Sequence, residues 1–153
     1  MNKQIEIIKK TRINLLNVIK DLTLDQLNEI PEGFNNNIIW NLAHLIAAQQ
    51  GICYMRAGGK IVVDEKYFLN YKSETKPQQR VDQHEVDIIK QLFLSTIDRL
   101  EKDYQNDVFA NYTAWTTRYG VELAHVDDAL VFLPFHEGLH LGYIQALKRV
   151  IKK

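Results

Sequence analysis

Cysteine is almost absent from this chain, occurring once, at Cys53. A lone thiol makes no intrachain disulfide and offers no cluster for a zinc finger, which fits a reducing compartment. An excess of charge of either sign is also missing, since 19 basic side chains stand against 19 acidic ones. That balance leaves no broad basic footprint for nucleic acid or for an anionic membrane. No apolar run approaches the roughly 18 residues of a membrane span, and Met1-Asn2-Lys3-Gln4-Ile5-Glu6 has none of the apolar core of a signal peptide. The expectation is a cytoplasmic protein without nucleic-acid or membrane partners. No internal repeat or low-complexity tract interrupts the 153 residues, a length that suits one domain, residues 1–153, with a sizeable core.

What is present is helical periodicity. Ile5, Ile8, Leu15, Ile19 and Leu22 form a stripe over about 3–21, interrupted by Arg12. Residues 23–36, with Pro31, Gly33 and a run of asparagines, read as a connection. Asn37 can cap a second helix that carries two apolar seams. One seam is Ile38, Leu42, Leu45, Gln49 and Ile52; the other is Trp40, His44, Ala47, Ala48, Gly51 and Met55, with small residues around a histidine. Gly58-Gly59 should stop that helix. Residues 60–81 are too long for a tight turn and read as a crossover. Asp82 to Glu85 has capping-box spacing and opens a third helix reaching about Gln105. The aromatic segment 106–126 should pack over the fold, and a fourth helix is expected from about Asp128 to Lys152, kinked at Pro134.

The fourth helix carries Phe135-His136-Glu137-Gly138-Leu139-His140. Residues four apart share a helix face, so His136 and His140 can address one ion, and they fall on the stripe of Leu133, Ile144, Leu147 and Ile151 that should be buried. Two imidazoles make only a two-point clamp, and a zinc or nickel site commonly takes a third protein ligand. His44, on the small-residue seam, is the best candidate, and three histidines from two helices would leave coordination positions open. The competing reading is three core histidines with satisfied hydrogen bonds. His84 and His125 stand at helix starts and read as cap or loop residues, and Cys53 reads as a small core residue. The spelling His-Glu-x-x-His also occurs in zinc proteases, where the glutamate is the general base. Here no Asp, Glu or His follows His140 to supply a distal ligand, so those proteases are set aside while Glu137 remains a possible base for another hydrolysis.

The pattern Trp40-x-x-x-His44, followed by His136-x-x-x-His140-x-Gly142 and preceded in the last third by Thr117-Arg118-Tyr119-Gly120, resembles the DinB-like superfamily over essentially the whole chain. The resemblance implies an all-α four-helix bundle of up-down-down-up type with a long crossover between helices 2 and 3. It also implies a zinc or nickel ion on His44, His136 and His140, and a homodimer. Characterised relatives include thiol-dependent S-transferases and isomerases, which points to a low-molecular-weight thiol and a small electrophile as reactants. Tyr143 departs from the family pattern, standing where relatives often carry glutamine. Two alternatives remain: a metal-dependent hydrolase with Glu137 as base, and a non-enzymatic metal-binding stress-response module.

Overall fold

Helix caps set the frame of the computed structural model, which describes residues 2–152. Asn2 Oδ1 accepts from the amides of Gln4 and Ile5 and starts α1, Lys3–Ile19, whose buried face is Ile5, Ile8, Arg12, Leu15 and Ile19. Asn37 Oδ1 accepts from the Trp40 amide at 2.9 Å and starts α3, Ile38–Gln49, buried along its whole length. The same helix then widens into a π turn, Gln50–Tyr54, and tightens into a 3-10 turn, Met55–Ala57. Gly58 closes it in the left-handed region, at φ +68°, where a side chain would be strained. Asp82 caps α5, Gln83–Gln105, by accepting from the Glu85 amide at 2.8 Å. Only this half of the expected capping box forms, because the Glu85 carboxylate is taken by the Tyr71 hydroxyl at 2.6 Å. The last helix, α6, runs Val126–Ile151 without interruption through Pro134. It begins two residues before the expected Asp128, whose Oδ2 accepts from the amides of Ala124 and His125.

Three short elements lie inside the expected connections. Helix α2, Leu24–Asn28, is held by a capping box between Thr23 and Gln26, and Asn28 exchanges two hydrogen bonds with the backbone of Val81. Helix α4, Glu65–Tyr71, is capped by Asp64 and packs on α3. Strands β1, Trp115–Thr116, and β2, Glu122–Leu123, form an antiparallel hairpin. The fold is therefore mostly helical, with little strand.

Helix α1 packs on α5 and α6, and α3 packs on the same two. The core between them divides into two apolar clusters. One gathers Leu15, Leu42, Phe93 and Ile144, the other Ile8, Ile52, Ile97 and Leu133. On every long helix a polar residue falls between the two sets: Arg12, Gln49, Thr96 and Glu137, all buried. Arg12 is fully enclosed and joins all four helices. Its Nε and Nη2 donate to Glu137 Oε1 of α6 at 3.0 and 2.7 Å, and Nη1 donates to the Phe93 carbonyl and Thr96 Oγ1 of α5. Nη2 also reaches the Leu45 carbonyl of α3 at 3.3 Å, and the guanidinium lies 4.8 Å from the centre of the Phe93 ring. A charge so enclosed persists only when its donors are used in this way.

Candidate metal centre

His44 projects from the middle of α3, and His136 and His140 project from adjacent turns of α6. Ligating atoms of the three lie within 4.8 Å of one another. The ring centroids are 5.4 Å apart for His44 and His136, 4.8 Å for His44 and His140, and 4.7 Å for His136 and His140. The trio expected from the motif spacing is thus one cluster.

Hydrogen bonds to the rings decide which nitrogens are free. His44 Nδ1 lies 2.8 Å from the Tyr71 carbonyl, which can only accept, so Nδ1 carries the proton and Nε2 keeps its lone pair. His140 Nδ1 lies 2.7 Å from Asn41 Oδ1. The Asn41 amide nitrogen donates to Asn36 Oδ1 and the Asn37 carbonyl, which fixes the oxygen toward His140 and makes His140 Nδ1 the donor. Two imidazoles are therefore presented through Nε2 with Nδ1 anchored, the arrangement typical of metal-binding histidines. His136 Nδ1 is buried with no hydrogen-bond partner among the described residues. An orphaned nitrogen beside two anchored rings fits an ion centre.

Electrostatics favour the same state. Burial lowers the proton affinity of all three rings. For His140 it brings the pKa down to about 3, with His44 adding to the effect, and for His136 the neighbouring His140, His44, Arg12 and Arg118 depress it further. All three imidazoles are neutral near pH 7, as coordination requires. Trp40 stacks flat on His44, with centroids 4.7 Å apart and planes inclined by 7°.

The trio opens on a cavity of about 750 Å³. Trp40, Ala47, Ala48, Gly51 and Met55, the small-residue seam of α3, form one wall. The hairpin forms another. Thr117 O accepts from the Gly120 amide at 2.9 Å and Thr117 Oγ1 from the Val121 amide at 3.2 Å, while Gly120 takes φ +77°. That tight turn carries Arg118 and Tyr119 at its tip, both on the cavity lining. Tyr112 anchors the hairpin, donating to the Ile52 carbonyl of the π turn and accepting from Trp115 Nε1.

A family model for the DinB superfamily matches residues 7–144. The chain belongs to the DinB superfamily. A comparison with curated proteins finds no match. In this DinB-superfamily chain Glu137 is not brought to the cavity: it is 1% exposed, and its Oε1 is held by Arg12. Burial raises its carboxyl above the usual range against the pull of Arg12, and its Oε2 has no hydrogen-bond partner among the described residues. His125 is the N-cap of α6, His84 lies in the first turn of α5, and Cys53 is a buried core thiol pushed up to about 12 by burial. The reading of motifs missed Asn41 and the Tyr71 carbonyl. Asn41 carried a signal, a polar residue one turn before His44 in an otherwise apolar helix; the carbonyl carried none. Among the described residues no helix is long and apolar enough to cross a membrane.

Proposed function

We propose that this DinB-superfamily protein is a divalent-metal-dependent enzyme, with zinc or nickel held by His44, His136 and His140, that joins a low-molecular-weight thiol to a small electrophile. The observation that carries the reading is a cluster of three neutral imidazoles opening on a cavity of about 750 Å³. A purely structural ion is closed off by four protein ligands, whereas three ligands beside an open space are the mark of a reactive site. When bound, the ion would favour thiolate over thiol near neutral pH and so supply the nucleophile.

The chain's own residues provide positioning. Asn41 and the Tyr71 carbonyl hold two rings in one tautomer, and Trp40 restricts the plane of His44. Ala47, Ala48 and Gly51 keep side-chain bulk out of the wall nearest His44, which leaves room for the electrophile. Phe132 and Leu139 of α6 make the opposite side apolar and limit water. The pairing of Glu137 with Arg12 weighs against hydrolysis with Glu137 as base, and the open cavity weighs against a stress-response module without a substrate.

At a finer level, we read the four long helices as one up-down-down-up bundle domain, with α3 and α5 parallel across the 60–81 crossover, and the protein as a cytoplasmic homodimer. Packing of both α1 and α3 on α5 and α6 supports the bundle. Exposed Val131, Phe135 and Leu139, spaced by four along α6, support a face for a second copy.

The test is turnover of 1-chloro-2,4-dinitrobenzene by tag-free protein whose metal content is known. A carbon–sulfur bond forms as the carbon–chlorine bond breaks, chloride leaves, and the thiol proton passes to solvent. Thioether formation above the uncatalysed rate should require added thiol and disappear with EDTA. Absence of bound metal in protein loaded with zinc or nickel would overturn the reading, and so would cleavage of esters that ignores thiol.

A further inference from the structure

The cavity beside the histidines is not neutral. Three cations line it, Arg56, Lys72 and Arg118, against one carboxylate, Glu74. The whole chain balances 19 basic with 19 acidic side chains, so this excess is local. The three cations also come from unrelated segments: Arg56 from the 3-10 turn that ends the α3 helix, Lys72 from the C-cap of α4, and Arg118 from the tip of the hairpin. Among the described residues none of the three side chains makes a salt bridge or a hydrogen bond. Their charges are therefore not neutralised as those of Lys9, Arg80, Arg99 and Lys148 are, each of which has a carboxylate partner.

For two of the cations the surroundings set a position without spending side-chain donors: a ring contact for the Arg56 side chain and a tight turn for the Arg118 backbone. Arg56 Cζ lies 4.4 Å from the centre of the Trp115 ring, a cation–π contact that takes up none of its N–H groups in a hydrogen bond. Arg118 is a central residue of the Thr117–Gly120 turn, whose backbone hydrogen bonds set the direction in which the tip projects. A guanidinium fork matches the paired oxygens of a carboxylate or phosphate, and clefts lined by one sign of charge concentrate ligands of the other.

We propose that the cavity is selective for small organic anions, with Arg118 and Arg56 gripping a carboxylate or phosphate of the ligand and Lys72 adding charge at the mouth. The assignment rests on reading the cavity as the substrate site and narrows the substrate class from any small electrophile or thiol to one that carries an anionic group. The anionic end sits at the hairpin side, and the rest of the molecule extends toward the histidines.

The chain has two tryptophans, Trp40 and Trp115, and both line the cavity, so their fluorescence reports directly on occupancy. The probes are 4-nitrobenzoate, 4-nitrophenyl phosphate and the uncharged 4-nitrobenzamide, each titrated into the full chain in EDTA. Working in EDTA separates this inference from the metal reading, since failure of the latter would show in elemental analysis while anion binding persisted. At least one anion should quench with roughly tenfold higher affinity than the amide, the value of one charge-assisted contact, and should weaken as salt rises. Preference for the benzoate or for the phenyl phosphate tells which anion the fork fits. Arg118→Gln and Arg56→Gln should each remove most of that preference, whereas Lys102→Gln, an exposed cation of α5 away from the cavity, should leave it intact. Equal affinity for the amide and both anions, or no binding of any probe, overturns the proposal. An equal loss in Lys102→Gln, or no loss in either arginine variant, also overturns it.

Discussion

Replacing Arg12 by methionine should destabilise the protein by about 3–5 kcal/mol, the range for removing one member of a buried ion pair. The structure says where that cost arises. Thr96 Oγ1 keeps its bond to the Leu92 carbonyl, and the Phe93 and Leu45 carbonyls stay within their helices, so these acceptors lose little. Glu137 loses both donors to Oε1, and Oε2 already has none among the described residues, which leaves an enclosed carboxyl without those partners. Adding Glu137→Leu should recover most of the loss, because an apolar pair fills the same space without a desolvated charge. The pH dependence has a definite sign. Arg12 is what holds the Glu137 carboxyl down against burial, so in the single mutant its folded pKa lies further above the unfolded value of 4.5. A carboxyl raised in the folded state is favoured when protonated, so the deficit of Arg12→Met should shrink as pH falls from about 7.5 toward 5.5. Urea unfolding followed by far-UV circular dichroism, in EDTA and at two pH values, measures both effects. A single mutant within about 1 kcal/mol of the wild type, or a double mutant no more stable than the single, would refute the account of the polar layer.

Further outcomes follow from the histidine cluster. His140→Ala should lose tight metal binding while keeping its helical spectrum, and should therefore lose the roughly 2.7 kcal/mol of stabilisation expected at a hundredfold excess over the dissociation constant; elemental analysis and melting curves read both. Asn41→Ala should weaken metal affinity by about 10–100-fold in a chelator competition, because His140 then has no partner to fix its tautomer. Metal-free protein should lose stability as pH falls below 6.5. His136 and His140 are depressed in the folded state, so the unfolded chain takes up protons that the native one refuses, at up to about 1.4 kcal/mol per pH unit for each ring. Urea midpoints that do not move between pH 7 and 5 would contradict that burial. Phe135→Glu should convert a dimer to a monomer by light scattering, and a wild type already monomeric at micromolar concentration would remove the dimer without touching the metal centre.

The histidine cluster was legible because helical spacing is itself geometry: His136 and His140 stand four positions apart, and His44 falls on a small-residue seam that the structure places along the cavity wall. The long helices were legible through their caps, Asn37 and Asp82 above all. Arg12 is visible as an interruption of an apolar stripe, but its partner Glu137 lies 125 residues away and in the sequence offers itself only as a possible base. Contacts at such separation leave no periodic trace. Helix α4 escaped notice because seven residues span too few turns for a stripe to stand out, and its contribution to the site is a backbone carbonyl that any residue at position 71 would supply. The hairpin escaped for the same reason, with two residues in each strand.

The π turn at Gln50–Tyr54 has a consequence for how such a cavity can diversify. A regular helix advances about 100° per residue, and a π turn holds one residue more than an α turn, so everything beyond it is rotated by about that angle relative to an uninterrupted helix. Met55 and Arg56 border the cavity downstream of this rotation, whereas His44 lies upstream of it. Removing one residue between 50 and 54 would swing the rim by about a quarter turn and leave the end that carries His44 in register. One helix thus carries a constant half and an adjustable half, and the rim of the cavity can be re-aimed by insertion or deletion at the joint while His44 keeps its place.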